Sequence, residues 1–127
     1  MPYKVYLHDE NTNIIRIDLI KPHTADEIPH IHQQTASLAQ KLEGTIYRLV
    51  NMSDSGLTFP EMVYALAEGS KKREGSAADD RFKSFYVVGD DKMAQMLTSS
   101  LSQRQYGSLQ VNVSGSVEEA LAQINSE

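Results

Sequence analysis

The chain has 127 residues and a formal net charge of −5, with 12 Lys and Arg against 17 Asp and Glu. That length fits one domain able to bury an adequate core without disulfide or metal staples. The chain contains no cysteine, which excludes disulfides, thiol catalysis and cysteine-ligated zinc and fits a reducing compartment.

The acidic balance argues against nucleic acid and against an anionic membrane surface as partners. Lys71-Lys72-Arg73 is the only basic run, and Glu74 and Asp79-Asp80 follow it closely. The apolar stretches are a few residues long, so no membrane insertion is expected. The opening MPYKVYLHDEN turns polar too early for a signal peptide. A cytoplasmic location is the expectation.

Residues 3–9 alternate, with Tyr3, Val5 and Leu7 on one face and Lys4, Tyr6 and His8 on the other. The turn formers ENTN at 10–13 separate them from 14-IIRIDLI-20, where Ile15, Ile17 and Leu19 share a face. Two alternating runs with a short polar link predict an antiparallel hairpin. Thr24 and Glu27 match a capping box. Beyond them Ile28, Ile31, Thr35, Leu38, Ala39 and Leu42 recur at helical spacing towards Gly44. Pro29 either kinks this helix or opens it.

A third strand, 45-TIYRLVN-51, leads into the small polar loop 51-NMSDSG-56. A second helix starts near Phe59 on the stripe Phe59, Met62, Val63 and Leu66, with Pro60 in its first turn. Residues 69–80 lack large apolar side chains and predict a surface loop or a frayed helix end. The fourth strand, 83-KSFYVVG-89, is apolar without alternation, the pattern of a strand covered on both faces. Asp90 is placed to cap a third helix bearing Met93, Met96, Leu97, Ser100 and Leu101 on one side. A fifth strand at 109–115 precedes a second capping box, Ser116 with Glu119, and a last helix on Val117, Ala120, Leu121 and Ile124.

The order ββαβαβαβα predicts a single α/β domain. Its five-stranded sheet is mostly parallel, with an antiparallel N-terminal edge strand. Ligand and partner surfaces in such sheets lie at the carboxyl ends of the strands. Here that edge comprises Lys21–Thr24, Ser53–Thr58 and Gly89–Asp91.

This order resembles the STAS fold of bacterial anti-sigma-factor antagonists and anion-transporter tails, together with SEC14-like proteins. The similar stretches are 14-IIRIDLIKP-22, 46-IYRLVNMS-53, 85-FYVVG-89 and 116-SVEEALAQI-124. The resemblance implies a regulatory module whose third strand leads to a phosphoacceptor serine at the start of the second helix. Asn51 stands where those proteins have an aspartate. The acceptor position falls near Phe59–Glu61, which holds no serine. Asp54-Ser55-Gly56-Leu57 is similar to the motif but comes too early in that register.

Ser53, Asp54, Ser55 and Thr58 are therefore the candidate interaction or phosphoacceptor residues. A helix N-terminus favours an anion or a phosphate there. The same residues also suit a plain turn with Thr58 as cap. His30 and His32 are two apart, a spacing that sends them to different sides of a helix, so no metal site is expected; with His8 and His23 they read as exposed. No nucleophile elbow, dinucleotide fingerprint or phosphate-binding loop occurs, so neither an enzyme nor a cofactor is expected. The methionines Met62, Met93 and Met96 read as core packing, while Tyr64 and Tyr106 fall off the stripes. The leading expectation is a non-enzymatic interaction module acting through the third-strand loop and the second helix on an unidentified protein partner. The alternative is a small-molecule or lipid-binding domain with an apolar pocket between helices and sheet. A homodimer through an edge strand such as Tyr3–Asp9, or through a helix face, is a further expectation.

Overall fold

A computed structural model describes residues 3–9, 12–21, 27–69, 81–101 and 112–126. Within them lie β1 (Tyr3–Leu7), β2 (Ile14–Leu19), α1 (Ile28–Ala39), β3 (Ile46–Asn51), α2 (Phe59–Gly69), β4 (Phe82–Val87), α3 (Asp91–Leu101), β5 (Asn112–Ser114) and α4 (Val117–Asn125). The element order is the one predicted. The sheet order β1-β2-β3-β4-β5 follows the chain. β1 runs antiparallel to β2, and the other pairs are parallel.

Every parallel crossover steps the same way across the sheet. With one handedness for all of them, α1, α2 and α3 must fall on one face. Ile31 and Ala39 of α1, Met62 and Leu66 of α2, and Leu97 and Leu101 of α3 pack with Ile15, Ile17, Ile46 and Val50 in the larger core. α4 takes the opposite face, where Ala120 and Ile124 meet Ile14, Leu49, Phe85 and Val87. β4 is thus apolar on both faces because both are covered, as its unbroken apolar run predicts.

The structure corrects several details of the sequence reading. α1 begins at Ile28 with Pro29 in its first turn and no side-chain cap at Glu27. Of the two readings of Pro29, the opening one holds. Thr24, the other half of the expected capping box, lies outside the described residues. α1 closes at Ala39, several residues before Gly44, which turns the chain at φ +80°. Met96 is 48% exposed, against the core position expected of it. The buried side of α3 is Ala94, Leu97 and Leu101, with Met93 at its margin. His32 is also corrected: it is buried on the inner side of α1, while His30 and His8 are exposed. Tyr64, which falls off the stripe, is 57% exposed. Tyr106, His23 and most of the 69–80 loop lie outside the described residues.

The face bearing α4 also carries a polar group on its β1–β2 half. The Tyr6 hydroxyl donates to Asp18 Oδ2 at 2.6 Å, and Arg16 pairs with Asp18 Oδ1 at 3.1 Å. The Arg16 guanidinium lies 5.7 Å from the Tyr6 ring centre. Burial, followed by the Asp18 hydrogen bond and charge, raises the Tyr6 phenol above its ordinary value; the Arg16 charge opposes this.

Candidate functional site

The carboxyl ends of β3, β4 and β5 bring the β3–α2 loop, the β4–α3 loop and the start of α4 to one edge of the sheet. The β3–α2 loop is held in place from within. The Ser55 hydroxyl donates to the Met52 carbonyl at 2.8 Å and accepts from the Leu57 N–H at 3.2 Å. Ser55 is only 2% exposed, so this hydroxyl serves as the pin of the turn. The Ser53 N–H donates to Asn51 Oδ1, and the Lys21 N–H donates to the Asp54 carbonyl. These bonds tie the loop to the ends of β3 and β2.

Two glycines close this packing. Gly56 adopts φ +73°, and a Cβ there would lie 2.8 Å from Lys21 Cγ. Gly89 adopts φ +85°, and a Cβ there would lie 3.3 Å from Ser53 Oγ. Positive φ at both positions favours glycine, because a side chain would clash with its own backbone.

The helix starts along this edge are capped by their own side chains. Thr58 and Glu61 form a reciprocal box: the Thr58 N–H donates to Glu61 Oε1 at 2.9 Å, and the Glu61 N–H donates to Thr58 Oγ1 at 3.4 Å. The Thr58 backbone bond, then its side-chain bond, hold the Glu61 carboxyl below its ordinary value. Asp90 Oδ1 accepts from the N–H groups of Lys92 and Met93. Ser116 Oγ accepts from the Glu119 N–H, and Glu119 Oε2 accepts from the Gly115 N–H. Each box places a carboxylate or hydroxyl where an incoming anion would otherwise sit.

The four candidate residues therefore share one loop but differ in availability. Ser55 is buried and doubly bonded, and Thr58 caps α2. Ser53 and Asp54 are exposed, and the Ser53 hydroxyl makes no hydrogen bond among the described residues. The exposed charge of this edge is mainly acidic, from Asp54, Glu61, Asp90, Asp91 and Glu119, with Lys21 and Lys92 as the basic members. Tyr64 on the following helix, α2, adds an exposed aromatic.

Two grooves flank the sheet. One, of about 550 Å³, follows β5 and is lined by polar side chains including Asp91, Gln95, Glu119 and Gln123. The other, of about 740 Å³, follows β1 and is lined by Tyr3, Lys4, Val5, Tyr6, Asp18 and Gln34. The larger core lies between the sheet and α1–α3. No cluster of three or more metal-ligating side chains occurs among the described residues. No described helix is long and apolar enough to cross a membrane.

Among the buried polar residues that the sequence reading missed is Arg48. It sits in the middle of β3 at 3% exposure, on the α1–α3 side of the sheet. Its NH1 donates to Ser84 Oγ at 2.8 Å, and its Nε has no partner. No carboxylate among the described residues pairs with it. An arginine on the alternating face of an otherwise apolar strand was the available signal. No family model, curated protein or solved structure matches this chain.

Proposed function

We propose that this chain is a non-enzymatic regulatory interaction module of STAS-like type. Its partner is a protein that docks on the β3–α2 loop and the exposed side of α2. The observation that carries the reading is the loop itself. It is pinned by Ser55 and packed through Gly56 and Gly89, yet it turns Ser53 and Asp54 outward. A loop held this firmly presents its side chains without paying ordering entropy on binding. The order ββαβαβαβα, on which the STAS resemblance mainly rests, supports the same reading.

The acidic rim and Tyr64 select a partner with a basic face and a slot for an aromatic ring. Ser53 is the hydroxyl that a modifying kinase could reach, and a phosphate there would add to the rim's negative charge. The cysteine-free composition supports a cytoplasmic setting. The test is capture of partners from the native host with the wild type and with a Ser53→Ala, Asp54→Lys, Tyr64→Ala variant. All three positions are exposed, so the variant keeps its fold. Loss of a specific partner supports the reading, and an unchanged partner set removes it.

A further inference from the structure

We propose that the outer edge of β1 is a homodimer interface, pairing antiparallel with β1 of a second copy about a two-fold axis at Val5. β1 is the end strand of the sheet, and among the described residues it pairs only with β2. The register fixes which backbone groups face outward. The His8 N–H donates to the Ile14 carbonyl at 2.9 Å, which marks that pair as a hydrogen-bonded one. Hydrogen-bonded and non-bonded pairs alternate along an antiparallel ladder. Tyr6 opposite Arg16 and Lys4 opposite Asp18 are therefore bonded pairs within the protomer. Tyr3, Val5 and Leu7 direct their N–H and C=O groups away from β2.

A second copy can satisfy all of these groups in one register. An axis through Val5 places Val5 opposite Val5 of the second copy, and Tyr3 opposite Leu7 of the second copy. Outward-facing residues then meet only outward-facing residues, and every outward N–H finds a carbonyl. A register shifted by one residue would oppose bonded groups to free ones.

The side chains agree with this register. Val5 and Leu7 are half-buried and pack at the margin of the larger core, so pairing extends that core across the axis. On the other face, Lys4 comes opposite Tyr6 of the second copy, a cation against an exposed aromatic ring. An edge lysine commonly discourages pairing, but here like charges do not meet, because the axis places Lys4 opposite Tyr6 of the second copy rather than opposite itself. The groove beside β1 supplies the space for the added strand. Among the described residues, β5 spans only three positions and is a shorter template. The Ser114 carbonyl accepts from the N–H of Val88, just past β4, the Gly115 N–H is taken by Glu119, and among the described residues of β5 only Val113 faces outward.

The chain has no cysteine, which permits a register-specific test. Light scattering on the wild type at about 100 μM should give twice the 14.2 kDa chain mass. Val5→Pro removes one outward N–H while leaving the β2 ladder intact, and should give a folded monomer. Lys4→Cys mixed with Tyr6→Cys should form a crossed disulfide about tenfold faster than either variant alone, since only the mixed pair comes within bridging distance. A monomeric wild type overturns the proposal. So does a Val5→Pro dimer, or Lys4→Cys linking to itself as fast as the mixture. If Val5→Pro does not fold, the cysteine pair decides. The docking reading of the β3–α2 loop stands or falls separately.

Discussion

At the scale of single residues, two hydroxyls only two positions apart should behave in opposite ways. Ser55→Ala removes a donor and an acceptor from a buried turn and should cost about 1–2 kcal/mol in chemical denaturation. Ser53→Ala removes no hydrogen bond among the described residues and should stay within about 0.5 kcal/mol. Equal effects would mean that the turn is not held as described. Sequence reasoning grouped these residues correctly by loop, but exposure is set by the fold of the loop, which residue type does not encode. Arg48 was less legible still, because arginine is mostly solvated and rarely fully buried, so residue type points away from its place in the core. Its guanidinium lies under α1–α3 with Ser84 as its sole described partner. Replacing a buried charge that has no carboxylate partner among the described residues by an apolar side chain of similar length is often neutral or stabilising. Arg48→Met should therefore raise the melting temperature. Ser84→Ala, which strips the remaining partner, should lower stability by about 1–3 kcal/mol.

At the scale of elements, the capping boxes were the most legible feature. Ser116 with Glu119 and Asp90 before α3 were readable from type and spacing. The box at Thr58 and Glu61 is the same pattern, and it has a consequence for pH. The Glu61 carboxyl is held below its ordinary value of 4.5 in the folded chain. A group with a depressed folded pKa contributes stability that is present above its unfolded value and lost as pH falls through the folded one. Below about 4.5 the first turn of α2 should loosen, and Glu61→Gln should flatten that part of the acid unfolding curve. An acid limb identical to that of the wild type would show that the box contributes nothing. The stripes were read less well where the rotation of a helix was in question. Met96 follows the spacing of α3 but lies outside the buried arc, which is Ala94, Leu97 and Leu101. His32 turned inward because α1 buries a broad arc against β1 and β2 that includes Thr35 and Ala36.

At the scale of the whole molecule, element order and strand polarity were legible because each element carries its own periodicity. The distribution of helices over the two faces follows only once the strand order is known. Sequential order places α1, α2 and α3 together and leaves α4 alone opposite them. The same order gathers the loops after β3, β4 and β5 at one edge, opposite the amino ends where Glu43 and Gly44 lie. That polarity makes the docking reading testable by position. A photoreactive residue at Ser53 or Tyr64, and in a separate protein at exposed Glu43, is irradiated in the native host. The account expects one protein partner to cross-link from positions 53 and 64 and not from 43. Cross-linking from 43 with silence at 53 and 64 would contradict it.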